Sequence, residues 1–440
     1  MIIQFNFSNY KTFKERATLN MIASNYDKDT NEEDNIIRVE QRDLRVLKSA
    51  VIYGPNSGGK SKFIDAIGFF RKFIITSSKE TQQGDTIPVE SYRLNSMTSG
   101  KPSDFEMTFM VDRVIYRYGF EVSKSEIVAE WLYSRPEKKE IELYYRTLQK
   151  FEYDTKRLAK IGSLEREDLV RKNSLLLSVL AQFNDQTAIL LLNYFRNMNA
   201  VSGLNELDYK HSSITKVKED PGKRAQIVEL LKSADLGIQD LRYEDLYESF
   251  DNEGKKMIGE YKDSFNKIDP HFFANIMTKH QVYDEHNQPD GFVEFSMSKE
   301  ESEGTRKYFH FAGLVLDALE QGMILLVDEL DSKLHPNLVC KIVSLFNSSI
   351  TNPQNGQLIF NTHDTNLLSS GIFRRDQVWF IDKDRYGASR LYSLANFKNE
   401  VRKHEPFEDN YIRGKYGATP FLNEFETVAQ EIITKNGQAE

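Results

Sequence analysis

Residues 54–61 read Gly54-Pro55-Asn56-Ser57-Gly58-Gly59-Lys60-Ser61 and fit the pattern G-x-x-x-x-G-K-[ST]. Glycines at these positions let backbone N–H groups turn toward phosphate oxygens, and a helix starting behind them adds positive potential. Lys60 can then reach the β- and γ-phosphates of a nucleotide such as ATP, Ser61 can ligate Mg²⁺, and Lys62 follows on the first helical turn. A second group lies far downstream, where the apolar run Ile324 to Val327 ends in Asp328 and Glu329. A carboxylate at a strand end can reach a ligand above the sheet edge. Asp328 is expected to hold Mg²⁺, directly or through water, and Glu329 to polarise an attacking water as general base. Taken alone, the pair also reads as a strand followed by an acidic cap for a helix near Pro336, and the phosphate loop upstream decides for the metal. Thr362-His363-Asp364 end a further apolar run, where a neutral imidazole can hydrogen-bond a γ-phosphate and sense its loss.

These groups need strands that end together and a helix behind the phosphate loop. LKSAVIYG predicts a buried strand, and KSKFIDAIGFFRKFI carries Phe63, Ile64, Ile67 and Phe70 at helical spacing. MILLVDE, QLIFNTH and QVWFID are compact apolar runs of the kind that buried parallel strands require. The alternation in MIIQFNF and the repeat of the signal in TLNMIAS predict antiparallel strands at a sheet edge. Residues 105–122 predict a hairpin turning at Asp112-Arg113, and IELYYRTLQKFEYD predicts another. From about 155 to 280 the pattern turns helical, in KRLAKIGSLEREDLVRK, SLLLSVLAQF and KRAQIVELLKSADLG. The expected division is therefore residues 1–150 and 291–440 as two halves of one α/β head, with 151–290 as an inserted, mainly helical domain.

Composition sets outer bounds. A chain of 440 residues is expected to fold as more than one packed unit. Its 58 Lys+Arg against 66 Asp+Glu give a formal charge of −8, which argues against a general nucleic-acid coat or a membrane-surface protein. The single cysteine, Cys340, excludes an intrachain disulfide. The start MIIQFNFSNYKTFKE has no basic leader followed by a long apolar run, and a cytoplasmic location without a membrane span is expected.

The ordered series NYKTF, GPNSGGKS, ESEGT, LLVDELDSKLHP and NTHD resembles the ATP-binding-cassette-type ATPases of the SMC, RecF and overcoming-lysogenization-defect branch. Within that branch it is most similar to the RloA-like and AriA-like ATPases of bacterial anti-phage defence, and RGKYGATPFL, residues 413–422, resembles their closing motif. The resemblance covers residues 1–120 and 295–425. It implies a P-loop head with an antiparallel β subdomain, in which Ser302, Gly304 and Thr305 form a signature capping the ATP held by the opposite subunit. It further implies that Asp331 meets the partner subunit, that Asn9 and Lys11 approach the nucleotide, and that ATP with Mg²⁺ is sandwiched in a homodimer or higher homo-oligomer. The same Ser-x-Gly-Thr also reads as a helix cap, a role compatible with the first.

The implied role is a slow, regulatory ATPase that senses a phage protein or DNA and controls a separately encoded nuclease or toxin, away from any membrane. Two other readings are a RecF-like DNA repair ATPase and a nucleotide-gated scaffold holding a toxin. The chain departs from the family pattern in its short signature and in lacking a placeable Q-loop glutamine, since Gln82 and Gln83 end no convincing strand. Asp382 and Asp384 have the D-x-D spacing of a Toprim metal site, but too little chain follows for that domain, and a strand-turn-strand is expected there.

Overall fold

The computed structural model describes residues 1–27, 30–234, 236–397, 405–420 and 433. The chain opens with strands β1 (Ile2–Ser8), β2 (Ala17–Asn20), β3 (Ile36–Val39), β4 (Leu44–Leu47) and β5 (Ser49–Tyr53), then enters helix α1 (Lys60–Thr76). A meander follows in β6 (Ser103–Val111), β7 (Val114–Val122), β8 (Ile127–Arg135), β9 (Ile141–Thr147) and β10 (Lys150–Tyr153). Next come α2 (Lys160–Arg166), α3 (Leu176–Gln182), α4 (Gln186–Arg196) and β11 (Met198–Ser202). After these the chain forms α5 (Lys210–Glu219), α6 (Pro221–Ser233), β12 (Ile238–Asp245), α7 (Asn252–Ile268), β13 (Ala274–Tyr283) and β14 (Pro289–Ser296). It finishes with α8 (Glu303–Gln321), β15 (Ile324–Asp328), α9 (Pro336–Asn347), β16 (Gln357–Asn361), α10 (Asn366–Ser369), β17 (Val378–Lys383), β18 (Ser389–Ser393) and α11 (Phe407–Ile412). Phe421 and Leu422, the last residues of the closing motif, lie outside the described residues.

The central sheet runs β11-β15-β16-β5-β17-β18, parallel except for the last strand. Its inner strands β15, β16 and β5 are largely apolar and buried because both faces are covered. Ala50 and Ile52 of β5 enter a core shared with α1, while Val51 and Tyr53 enter a second core with α8 and α9. Ile324 and Leu326 of β15 divide from Leu325 and Val327 in the same way. The second large sheet is antiparallel, β10-β9-β8-β7-β6-β1-β2, and closes over α1 through an aromatic cluster that includes Phe5, Phe70, Phe105, Phe120 and Phe195. Its β6–β7 hairpin turns at Asp112 and Arg113, both left-handed as that tight turn requires. The architecture is thus a P-loop α/β head with an antiparallel β subdomain.

Between residues 151 and 290 the structure is more mixed than the helical pattern predicts. α3 and α4 pack into the same core as α1, and β11 joins the central sheet beside β15. A lobe of α5, α6, α7 and the three-stranded sheet β12-β13-β14 follows, and α5, α6 and β12 enter the second core together with α8. β14 is exposed along most of its length, so it carries no apolar alternation to betray it in the sequence. Asp382 and Asp384 fall, as expected, on a strand and the turn after it: the Asp384 carboxylate accepts from the N–H groups of Tyr386 and Ala388 at 2.9 Å each. No helix among the described residues is long and apolar enough to cross a membrane.

Candidate nucleotide-binding site

The phosphate loop leaves β5 at Gly54 and enters α1 at Lys60. Gly59 has φ 119°, and a Cβ there would stand 2.5 Å from the Ser389 hydroxyl and 3.0 Å from that of Thr12. Only glycine fits, which explains the spacing of the motif. Ser389 also donates to the Gly58 carbonyl at 2.6 Å, so the β17–β18 hairpin holds the loop from behind. The exposed tip is Asn56 and Ser57, with Pro55 half-buried beside Gly54. α6, α7, α8 and α9 each start on a capping side chain, whereas α1 starts on Gly59 with none. Its first N–H groups are therefore free to meet an anion. Ser61 and Lys62 lie on that first turn, half-buried and exposed respectively.

Lys60 is buried and folds back on its own loop, donating to the carbonyls of Gly54 at 2.8 Å and Pro55 at 3.2 Å. Burial lowers its pKa, opposed by the nearby negative charges of Glu329, Asp328 and Asp331. Those carboxylates end or follow β15, one strand away from β5 across β16. Asn361, the last residue of β16 and fully buried, fastens the acidic pair. Its Nδ2 donates to Asp328 Oδ1, and its Oδ1 accepts the Glu329 N–H at 2.8 Å. Glu329 itself adopts a left-handed φ of 55°, which turns the chain sharply after the strand. Lys60, Asp328, Glu329 and Asp331 thus come together, and His363 joins them through its N–H, which donates to Asp331 Oδ2 at 3.1 Å. The His363 side chain is exposed.

The signature residues lie elsewhere. Ser302 caps α8, accepting the Thr305 N–H at 3.1 Å with the Thr305 hydroxyl 2.8 Å away. Gly304 packs against the Lys333 carbonyl, and Glu303 pairs with Lys333 at 3.4 Å. No hydrogen bond among the described residues links 302–305 to the phosphate loop of the same chain. Lys11, at φ 48°, is paired with Asp65 on the flank of α1 and stands 3.6 Å from Glu90, while Asn9 binds the carbonyls of Thr98, Lys101 and Pro102. Gln82 sits in a turn, its N–H bonded to Asp85, away from these strand ends.

Several residues escape a motif search. Asn361 stands first in NTHD, yet the motif assigns it no role. Gly203, which follows β11, donates its N–H to the Asp328 carbonyl at 2.6 Å, and a Cβ there would stand 2.1 Å from the Glu329 carbonyl oxygen. Lys307 on α8 is buried and reaches the same turn, donating to the Leu330 carbonyl at 3.1 Å and to the carbonyl and hydroxyl of Ser332 at 2.6 Å. Burial lowers its pKa to about 8. Gly203 stands in no motif, whereas Lys307 follows Ser-x-Gly-Thr within the cation pair Arg306-Lys307.

The site suits a nucleoside triphosphate with Mg²⁺. Its uncapped helix start and buried lysine match phosphate oxygens, and its hydroxyl and carboxylate donors match a hard cation. The Thr12 hydroxyl and Asp331 Oδ1 are also buried without a protein partner.

Two solved structures show likeness: the SMC head domain from Thermotoga maritima, at 12% identity over 89% of this chain and 98% of that one with a TM-score of 0.39, and an SMC head bound to the C-winged helix domain of ScpA, at 12% over 89% and 97% with a TM-score of 0.36. With scores this low, the fold rests on strand order and register. No curated protein matches. Residues 49–369 match the family described as "AAA domain, putative AbiEii toxin, Type IV TA system", a span that runs from β5 through α10 and holds the phosphate loop, acidic pair and histidine, and the chain belongs to that family.

Proposed function

We propose that the chain hydrolyses ATP with Mg²⁺ as a dimer closed around the nucleotide, and that this cycle regulates a partner effector in bacterial anti-phage defence. The observation that carries the ATPase reading is the fastening of Asp328 and Glu329 by Asn361 next to a buried Lys60. In use, Lys60 exchanges the Gly54 and Pro55 carbonyls for phosphate oxygens. Ser61 and Asp328 would hold the metal, whose charge would offset that of the phosphates. Glu329 takes the proton of the attacking water, and His363 donates to the γ-phosphate. Ser302, Gly304 and Thr305 offer the start of α8 to the triphosphate of a second subunit, a reading supported by the lack of any hydrogen bond among the described residues from them to their own loop.

The measurement is Mg²⁺-dependent phosphate release together with mass in solution. Lys60→Ala should lose ATP binding. Glu329→Gln should keep binding, lose turnover by about 10²-fold or more, as expected when a proton acceptor is removed, and accumulate dimers with ATP. Adding Ser302→Arg to that variant should return it to monomer. Turnover unchanged in Glu329→Gln rejects the assigned base, and a monomeric Glu329→Gln protein with ATP rejects the sandwich. The regulatory role is supported by the family's description, which names a toxin and a type IV toxin–antitoxin system. Its partner is then a separately encoded nuclease or toxin. Cells carrying the chain with its neighbouring gene should form fewer phage plaques, an effect lost in Glu329→Gln; equal counts reject the defence role.

A further inference from the structure

The closing segment, residues 405–418, follows the family match, which ends at residue 369, and has no part in the chemistry above. Its contacts are nonetheless with the catalytic turn. Thr365, two residues after His363, donates its hydroxyl to Glu408 Oε1 at 2.9 Å, tying the turn to α11. Tyr411, one helical turn on, lies against Tyr53 with ring centroids 5.6 Å apart and against Phe380 at 5.3 Å. Tyr53 ends the strand that becomes the phosphate loop, and its hydroxyl donates to the Asp364 carbonyl at 3.1 Å. Burial, then the charge of Asp364, raises the Tyr53 pKa well above its usual value, so it stays a donor.

The segment is itself fixed. The Tyr411 hydroxyl donates to the Ala418 carbonyl at 3.0 Å and faces the Gly54 N–H. Tyr392 donates to the Tyr416 carbonyl at 2.8 Å, and the Ala418 N–H reaches Asp382 at 3.3 Å. The turn Thr362–Thr365 is therefore held by the Ile52 carbonyl, Asp331, Tyr53 and, through Glu408, the closing segment.

We propose that Glu408 and Tyr411 are positioning residues, through which the closing segment holds the His363 turn at a set distance from the root of the phosphate loop. This rests on the ATPase reading. Neither residue touches substrate. Their effect reaches the reaction through the backbone of Thr365 and the ring of Tyr53, and a displacement of about 1 Å at such a site can cost up to 10²-fold in rate.

The test uses the full chain with Thr365→Val, Thr365→Ser, Glu408→Ala and the double variant Thr365→Val/Glu408→Ala. Two quantities are read: kcat and KM for ATP, and amide hydrogen exchange of residues 362–369 without nucleotide. Thr365→Val and Glu408→Ala should each lower kcat about 10-fold with KM within about 2-fold, as loss of alignment and not of binding predicts. The double variant should fall no further than either single one, because both remove one bond. Thr365→Ser should restore kcat, and exchange of 362–369 should quicken in the Val and Ala variants only. Wild-type rates in both single variants overturn the proposal, as does a rise in KM with unchanged kcat. Additive losses in the double variant also overturn it. If the wild-type protein releases no phosphate, the ATPase reading fails separately and exchange decides: quicker exchange in Thr365→Val keeps the strap, unchanged exchange ends it.

Discussion

Asn361 carries more of the site than its type suggests. It is fully buried, and one amide satisfies both the Asp328 carboxylate and the strained backbone N–H of Glu329. A hydrogen bond to a charged group contributes about 2 kcal/mol and a buried donor left without a partner costs a similar amount. Asn361→Leu should therefore lower stability by about 3 kcal/mol, seen as a shifted denaturant midpoint, and should depress kcat more than ATP affinity. Equal loss of both would mean that the amide serves only the fold. Sequence types and spacing alone singled out Lys60, Asp328 and Glu329, which the fold brings near one another, because the expected chemistry is tied to a fixed local pattern. Asn361 and Thr12 stand inside NTHD and NYKTF, but what they do depends on contacts with other segments, and Gly203 acts through the absence of a side chain, which leaves no local signature. Lys11 shows the reverse: the motif singled it out, and its charge is met by Asp65.

Among the elements, α8 joins the signature to the acid turn, and Lys307 is the link. In the folded chain its pKa is about 8 against an ordinary 10.5. Below pH 8 the folded protein carries the full cost of burying that charge. Between 8 and 10.5 the unfolded chain keeps a proton that the folded chain has released, so this group's contribution to stability rises with pH across that window. Activity should move the other way: loss of the charge weakens the grip on the Leu330 and Ser332 carbonyls, and turnover should decline above pH 8. Lys307→Arg, which stays charged, should remove that decline, and a profile identical to wild type would assign it to another group. On the other side of the turn, Gly203→Ala must displace the Glu329 carbonyl and should cut kcat about 10-fold with ATP binding retained, since a sub-ångström shift of the base suffices. The strands and helices that bear the motifs were legible because both faces of β5, β15 and β16 are apolar and α1 keeps a helical period. β11 was not: its five residues, MNAVS, are mixed in polarity, although they set the edge on which Gly203 stands.

Across the whole molecule, α8 is also where the lobe meets the head, and His310 lies in that seam. It is buried, its Nδ1 has no partner, and burial together with the charges of Lys210, Arg306 and His211 lowers its pKa to about 3. Lys210 and His211 come from α5, where Asp269 balances them, and Arg306 comes from α8 itself. The neutral ring therefore supports the fold in full above its unfolded value near 6.5, and that support is lost as pH falls from 6.5 toward 3. The slope is on the order of 1 kcal/mol per pH unit. His310→Leu should flatten the fall in stability between pH 6.5 and 5, read as denaturant midpoints at each pH, with little effect at pH 8. Because α5 and α8 share this seam while the seven-stranded sheet has its own core, acid should loosen the lobe and signature helix first. Hydrogen exchange at pH 5 should then quicken in residues 210–219 and 303–315 before it does in β6, β7 and β8. Simultaneous exchange of all these segments would mean that head and lobe open as one unit, and parallel pH curves for the two proteins would remove His310 from the account.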